Sequence, residues 1–416
     1  MIGPGSTTLF RRGMVVLLFN PLIAALSALV LVRLGGLLAL PRRVGLMAAA
    51  AWAFGTIAWP YSRTFFTEPL AGLLALVAFE QFLRWGMKPI GMGRIHAVLA
   101  GVFLALANWV RVDAPLFTVG LVGAFVVRGG WLFLRDDTWA RPGRRLPVVD
   151  VLIVGAIALG SWLLLQRFNA MRFGELDLTA GYSAQSEGGK LTTPLLVGLY
   201  GLIFSAGKGF LFFSPAVLLG LVGWWRIPAH LRWIRTAALI TWTPFFLVMA
   251  MWQNWDGGWC WGPRHIIQIH LPIMMGSLFF FVAPWTMARR FLTGLLLAIA
   301  AGVQLFGSSQ NPLDYYREYF MTYDDMIYHR VNLREMQQAA IADRYVIQWR
   351  NPDGSAGQEV NPRLLDLPAP MIDSLYMPEH SQWATYPEMW RIGYCDLYFL
   401  NALTGHRNPD RMGVGR

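Results

Sequence analysis

Long apolar runs dominate this chain and restrict the architectures that it can form. About ten of them approach the roughly 20 residues that a helix needs to cross the hydrocarbon core of a bilayer. They lie at residues 14–33, 44–60, 66–85, 95–111, 115–134, 149–167, 208–225, 233–252, 265–283 and 290–307. Because every backbone amide in hydrocarbon must be bonded internally, repeated runs of this length predict helices. We therefore predict an all-α polytopic membrane protein.

The composition agrees with a membrane location. Charged residues make up 14% of the chain, whereas soluble domains carry about 25%. The formal net charge of +11 comes from basic residues that cluster in short loops. This pattern is typical of the cytoplasmic loops of membrane proteins, so we do not assign nucleic-acid binding. The two cysteines, Cys260 and Cys395, exclude a disulfide framework and a cysteine-ligated zinc site but leave one disulfide open.

The basic loops predict the orientation of the bundle. With ten spans, five loops rich in arginine fall on one side, which is then the cytoplasm. Their basic residues are Arg33, Arg42, Arg43, Arg84, Lys88, Arg94, Arg128, Arg135, Arg141, Arg144, Arg145, Arg226, Arg232, Arg235, Arg289 and Arg290. The opposite side receives residues 61–66, 112–114, 168–193 and 253–264 and the tail. We predict that this side faces outward from a bacterial inner (plasma) membrane.

The chain divides into two predicted regions. Residues 1–307 form the transmembrane domain, and residues 308–416, which are more polar, form a small extracytoplasmic appendage. Within the first region, residues 194–204 are predicted to form a short interfacial helix, because the apolar stretch there is too long for one span. In the tail, helix-like sequence near 324–344 precedes VIQWRNPDG, which predicts a strand that ends in a turn.

Two ionisable residues at predicted outer helix ends are candidates for chemistry. Glu68, in YSRTFFTEPL, either faces an outer cavity or only stabilises a helix start, where a carboxylate interacts well with the helix dipole. Lys208 lies between two glycines in SAGKGFLFFSP. It either binds a lipid phosphate, which the glycines allow to approach closely, or extends to the membrane interface.

A charged aromatic turn, WDGGWCWGPRHI, joins two apolar runs at residues 255–266. Its tryptophans fit an interfacial aromatic belt, but the belt does not explain the charges. Asp256 and Arg264 either pair with each other, or Arg264 presents its planar fork of donors to a phosphate. The next histidines, His265 and His270, do not have the i, i+4 spacing of a zinc-binding helix, and we assign no metal.

The predicted cytoplasmic loops are too short to fold a domain that consumes ATP or a nucleotide sugar, and the sequence has no P-loop. An outward-facing enzyme of this kind needs an activated substrate that is delivered within the membrane. A lipid-phosphate donor is the substrate class that meets this need. No cofactor is expected.

Several motifs, in order along residues 3–310, resemble the bacterial GT-C glycosyltransferases of the family 39 type. This group is related to protein O-mannosyltransferases and to the aminoarabinose transferase of lipid A. The matching pieces are PGS, FNPLIAALSALVL, WPYSRTFFTEPL, NAMRFGELDLTAGY, SAGKGFLFFSP and WDGGWCWGPRHIIQIHLP. The resemblance implies transfer of a sugar from a polyprenyl-phosphate donor to a glycan, lipid or protein acceptor on the outer face.

The resemblance also implies roles for single residues. Glu68 is similar to the acidic residue of the family's second outer loop and is the candidate catalytic residue. Lys208 and Arg264 are expected to converge on the donor phosphate. The expected substrate cavity is lined by Arg172, Tyr182, Trp255, Asp256, Trp261 and His265.

The start of the sequence departs from the family pattern. The family's general base lies in the first outer loop, and this chain begins at what resembles the end of that loop. We therefore expect an N-terminally truncated form, or a member without the usual base, with little or no transfer activity. A non-catalytic lipid-binding or envelope-assembly protein on the same scaffold, or a transporter, are the alternatives.

The predicted orientation can be tested by cysteine labelling in intact cells. A membrane-impermeant thiol reagent should modify a Ser186→Cys variant and spare an Arg141→Cys variant, because the two positions lie in loops on opposite sides. Labelling of the unsubstituted chain provides the background. The reverse pattern would invert the orientation and move the proposed site to the cytoplasmic face.

Overall fold

The architecture is that of a helical bundle, as seen in a computed structural model. The structure describes residues 4–88, 93–135, 147–174, 191–258, 260–309, 346–350, 356–360, 382–383 and 386–387. Its helices are α1 Pro4–Leu37, α2 Arg42–Gly55, α3 Ala58–Ser62, α4 Glu68–Met87, α5 Arg94–Val110, α6 Pro115–Arg135, α7 Pro147–Phe173, α8 Leu195–Phe204, α9 Phe210–Phe213, α10 Val217–Trp225, α11 Arg232–Met251, α12 Ile267–Met275, α13 Ser277–Val282 and α14 Met287–Ser308, with 3-10 turns at Ala229–Leu231 and Arg264–Ile266.

Seven segments in the described part of the chain are long and apolar enough to cross a membrane. They are Leu18–Leu37, Glu68–Met87, Pro115–Leu134, Pro147–Phe173, Ala229–Met251, Arg264–Val282 and Met287–Ser308. The helices α5 and α8 are apolar but shorter, and α2 has 14 residues, about 21 Å of helix at 1.5 Å per residue. The chain is therefore a helical membrane protein, while the predicted count of ten spans is not confirmed.

The prediction of one continuous span over residues 208–225 is wrong. Helix α9 ends at Phe213, Ser214 has φ −144° and ψ 62°, and α10 begins at Val217. The residue before a proline is driven away from helical geometry, and Pro215 has that effect on Ser214. The short helix predicted at 194–204 is present as α8.

At one end of the bundle, which we call the basic end, buried carboxylates form ion pairs with arginine side chains. Glu80 of α4 pairs with Arg33 of α1 at 3.0 Å and with Arg84 at 2.7 Å. Asp150 of α7 pairs with Arg94 of α5 at 3.0 Å. These contacts bring arginines of two predicted cytoplasmic loops to the same end. The loops that hold Arg141, Arg144, Arg145 and Ser186 lie outside the described residues.

The tail contributes a hairpin and an aromatic contact. Strands β1 (Val346–Arg350) and β2 (Ala356–Val360) pair antiparallel, which confirms the predicted strand in VIQWR. The helix predicted near 324–344 lies outside the described residues. Trp383 and Tyr386 pack against Trp261, with ring centroids 5.2 and 5.4 Å apart. Part of the tail therefore contacts the segment that contains the aromatic turn.

Helices α6 and α11 approach closely at Gly120. A Cβ atom on Gly120 would lie 2.4 Å from the carbonyl oxygen of Thr241 and 2.7 Å from that of Ile240. Small residues allow such backbone contacts between membrane helices, where packing replaces the hydrophobic effect as the main attraction. In contrast, a Cβ atom on Gly155 of α7 would meet nothing within 4 Å.

This difference predicts opposite effects of the same substitution. Gly120→Ala should destabilise the protein by about 1–3 kcal/mol, because the new methyl group forces the two backbones apart. Gly155→Ala should be neutral or stabilising by about 0.5–1 kcal/mol, because alanine favours the helix. Thermal unfolding of both variants in the same detergent measures the effect. Equal shifts would contradict the close packing of α6 on α11.

Candidate functional site

A buried carboxylate lies at the start of α4. Glu68 is the first residue of that helix and is followed by Pro69, which suits the first helical turn. Its side chain is only 3% exposed, and its Oε1 lies 2.8 Å from a guanidinium nitrogen of Arg111 and 3.3 Å from Nε of Arg264. The two arginines come from distant parts of the chain. Glu68 is therefore an ion-pair centre rather than a solvated helix cap.

Arg111 extends the cluster to a second carboxylate. The chain leaves α5 at Arg111, whose Nε lies 2.8 Å from Oδ1 of Asp113, while another guanidinium nitrogen lies 2.7 Å from Oδ2. Both side chains are buried. This fork-to-fork arrangement is the strongest geometry that an arginine and a carboxylate adopt. Sequence reasoning missed both residues, although two opposite charges in NWVRVDAP, at the end of an apolar run, were a usable signal.

Of the two arginines that pair with Glu68, Arg264 is the more exposed. Its side chain is 25% exposed, against 7% for Arg111. The guanidinium lies over the ring of Phe66, 4.6 Å from its centroid. Two partners therefore hold this cation, the Glu68 carboxylate and an aromatic face, while part of it stays accessible. The arrangement can receive an anion without first having to order the arginine side chain.

Lys208 supports the backbone of the aromatic turn. Its buried ammonium donates to the carbonyl oxygens of Gly258 at 2.7 Å and Cys260 at 2.8 Å, and lies 3.4 Å from that of Gly262. A lysine has three N–H donors, so these carbonyls match its capacity. The binding of donor phosphate by Lys208 stays a prediction. The contacts favour a structural role in which Lys208 holds the turn that precedes Arg264.

The turn itself depends on glycine and on Asp256. Gly257, Gly258 and Gly262 all have positive φ values, of 82°, 72° and 64°, a region that residues with a side chain rarely adopt. The Oδ2 of Asp256 accepts a hydrogen bond from the backbone N–H of Gly258 at 3.0 Å. Asp256 therefore shapes the turn, and the ion pair that the structure gives Arg264 is with Glu68.

Two tryptophans predicted to line the cavity are packed into the protein. Trp255 is buried against Gly201, where a Cβ atom would lie 2.4 Å from the indole ring. Trp261 is buried in an aromatic cluster, and its carbonyl oxygen accepts a hydrogen bond from the Tyr61 hydroxyl at 3.0 Å. Burial, reinforced by the neighbouring thiol of Cys260, raises the pKa of Tyr61 well above its ordinary value. The phenol therefore stays neutral and remains a donor.

The other residues predicted to line the substrate cavity lie in different parts of the structure. His265 joins the cluster, with Nδ1 3.9 Å from Glu68 and its ring 4.8 Å from that of Trp252. Arg172 is exposed at the end of α7, with its guanidinium 5.2 Å from the ring of Phe173. The structure thus brings Glu68, Arg264 and His265 together. Tyr182 and the middle tryptophan of the aromatic turn, Trp259, lie outside the described residues.

An apolar groove of about 590 Å³ runs along α11. It extends from Arg235 to Phe246, twelve residues whose eleven steps correspond to about 16 Å of helix. It is lined by Ile203, Phe210, Leu221, Trp224, Trp225, Arg235, Ala238, Leu239, Trp242, Thr243, Phe246, Ile269, Pro272 and Ile273. Ile269 lies five residues after Arg264, so the groove approaches the helix that begins at the Glu68 cluster.

Comparisons of this chain with protein-family models, with curated proteins and with solved structures found no match. The GT-C resemblance therefore stays a prediction. Within the described ranges, no group of three or more His, Cys, Asp or Glu side chains could hold a metal ion. Cys260 is a buried free cysteine, and Cys395 lies outside the described residues.

The contacts of Lys208 predict a stability effect in the absence of any ligand. Lys208→Met should keep the aliphatic stem but remove the hydrogen bonds that the ammonium donates to the carbonyls of Gly258 and Cys260. Each lost bond should cost about 0.5–1.5 kcal/mol, because the two carbonyls keep a second donor, the backbone N–H of Cys260 and the side-chain amide of Gln382. The variant should unfold at a lower temperature than the wild type. Unchanged unfolding with a large loss of affinity for polyprenyl phosphate would instead show a ligand-binding lysine.

Proposed function

We propose that this chain is a GT-C-like glycosyltransferase of the bacterial inner membrane. It transfers a sugar from a polyprenyl-phosphate-linked donor to a glycan, lipid or protein acceptor on the extracytoplasmic face. The observation that carries the proposal is Arg264, a partly exposed cation that the buried Glu68 carboxylate holds in place. It lies in the 3-10 turn directly before α12, a helix that lines an apolar groove. An anionic headgroup on an apolar chain has the matching chemistry.

The cation suits the phosphate of such a donor. Arginine presents a planar set of donors that fits phosphate oxygens, and an ionised pair forms a stronger hydrogen bond than neutral groups do. When the bond between sugar and phosphate breaks, negative charge develops on the departing phosphate. A guanidinium that is already held by Glu68 and Phe66 can stabilise that charge with little reorganisation.

The groove suits the hydrocarbon part of the donor. Its lining is aliphatic and aromatic, with Arg235 and Thr243 as the charged and polar exceptions. Phe210 in the groove contacts the ring of His270 edge-on at 6.2 Å, and His270 lies six residues after Arg264. A lipid chain in the groove can therefore end near the helix turn that carries Arg264.

The proposed reaction is a direct displacement at the anomeric carbon of the sugar. The acceptor oxygen forms a bond to that carbon, the bond from carbon to phosphate oxygen breaks, and the phosphate leaves with the electron pair. The acceptor proton passes to a carboxylate. The Oε1 of Glu68 is engaged by Arg111 and Arg264, which favours a positioning role for this residue over proton abstraction.

The ion pairs of Glu68 with Arg111 and Arg264 also favour a second candidate function, that of a non-catalytic lipid-binding protein. Both carboxylates of the cluster, Glu68 and Asp113, are committed to arginines. Such a protein would bind polyprenyl phosphate through Arg264 and the groove without transferring sugar. The two functions therefore share their binding prediction and differ only in turnover.

Arg264→Ala should weaken the binding of polyprenyl phosphate roughly ten- to a hundredfold, because a lost bond to a charged group costs about 1.5–3 kcal/mol. Arg290→Ala is the matched control, since it removes the same charge from an exposed position at the start of α14. Binding to the purified proteins in detergent provides the measurement. Equal affinities of the two variants would contradict the anion site.

Transfer of a radiolabelled sugar from a lipid-linked donor separates the two functions. The glycosyltransferase proposal expects a low but measurable yield of product, since the family's usual base is not among the residues identified, and expects this product to depend on the wild-type chain and to be lost in Arg264→Ala. Tight binding of polyprenyl phosphate without product from any acceptor class would favour the lipid-binding alternative.

A further inference from the structure

A small chamber lies beside Glu68, between α1, α2, α4 and α12. Its volume is about 20 Å³, and its lining includes Asn20, Trp52, Tyr61, Glu68 and Gln268. Polar side chains from separate helices thus line one space inside a membrane protein, together with apolar residues such as Ala24, Ile267 and Leu271. Lipid cannot satisfy such groups, so they need partners within the protein.

Four polar atoms on the lining residues have no hydrogen-bond partner among the described residues. They are Oδ1 of Asn20, Nε1 of Trp52, and both Oε1 and Nε2 of Gln268. All three side chains are more than nine-tenths buried. The Asn20 amide already donates to the carbonyls of Thr64 and Phe66, at 2.7 and 3.1 Å, which leaves its oxygen unused. Buried polar groups are normally paired, and here they lack partners around a shared space.

We propose that the chamber is a binding site for one structural water molecule. A cavity needs about 10–15 Å³ to hold a water, and a buried water typically makes about three hydrogen bonds. Trp52 can only donate and the Asn20 oxygen can only accept, while Gln268 offers both. A metal cation would face two N–H donors and an anion would face two oxygens. Water is the small ligand that satisfies both kinds of group at once.

The water links the helices that surround the carboxylate. Asn20 belongs to α1 and holds the loop before Glu68, while Trp52 belongs to α2 and Gln268 to α12. Gln268 also lies against α4, since a Cβ atom on Gly72 would be 3.2 Å from its Cα. The site does not rest on the proposed function, because it follows from volume and unpaired atoms alone.

Radiolytic hydroxyl-radical labelling of the full-length protein tests the site. A bound water becomes a local radical source, so Trp52 should be oxidised severalfold faster than Trp85. The two tryptophans are equally buried, at 4% exposure, but the N–H of Trp85 donates to Asp150 at 3.0 Å. Equal protection of both would overturn the proposal, because it would indicate a dry chamber.

Gln268→Met provides a second and independent readout. If the water is present, the variant removes two of its partners, so Trp52 oxidation should fall to the level of Trp85 and the unfolding temperature should drop. If the chamber is dry, the variant removes two unpaired polar atoms and the unfolding temperature should rise. Oxidation of Trp52 that persists in Gln268→Met would also overturn the assignment. Neither measurement requires transfer activity.

Discussion

The ion pairs of Glu68 organise the end of the bundle at which it lies. A carboxylate buried without a partner would be unstable in a low-dielectric interior, and breaking a buried pair typically costs about 3–5 kcal/mol. Glu68 of α4 therefore requires Arg111 from the end of α5 and gains Arg264 from the turn before α12. One charged group thus fixes the relative positions of three segments that are far apart in sequence.

The aromatic turn is also held by a buried cation, but the partners of that cation are backbone carbonyls instead of a carboxylate. Three glycines with positive φ bend the chain so sharply that its carbonyl oxygens converge, and the ammonium of Lys208 occupies the point of convergence. The ammonium adds a charged donor to carbonyls that otherwise accept from the backbone N–H groups of Cys260 and Arg264 and from the Gln382 amide. The turn places Arg264 next to Glu68. Because Lys208 holds the backbone of the turn, it affects the candidate site indirectly.

The charged cluster and the apolar groove lie at different positions along the bundle, an arrangement that suits a lipid ligand. The cluster around Glu68 and Arg264 lies at helix ends, while the groove along α11 is almost wholly apolar. Arginines at the basic end are neutralised by Glu80 and Asp150. A molecule with an anionic head and a long apolar tail could use both surfaces of the protein at once.

The sequence by itself determined the physical class of this protein and part of the candidate site. Apolar runs of membrane length leave helices as the available structure, because a backbone in lipid must satisfy its own hydrogen bonds. Local signals also marked Glu68, Arg264 and the glycine-rich turn. The break before α10 was predictable in principle, because Pro215 prevents Ser214 from staying helical.

Only the tertiary structure decided which charges meet. The pairing of Glu68 with Arg111 and Arg264, rather than of Asp256 with Arg264, joins residues 43 and 196 positions apart, and no local pattern encodes such a contact. The same holds for Lys208, whose ammonium donates to carbonyls that converge only after the turn has folded. Apolarity and helix propensity act over a few residues, whereas burial of a charge depends on every segment that surrounds it.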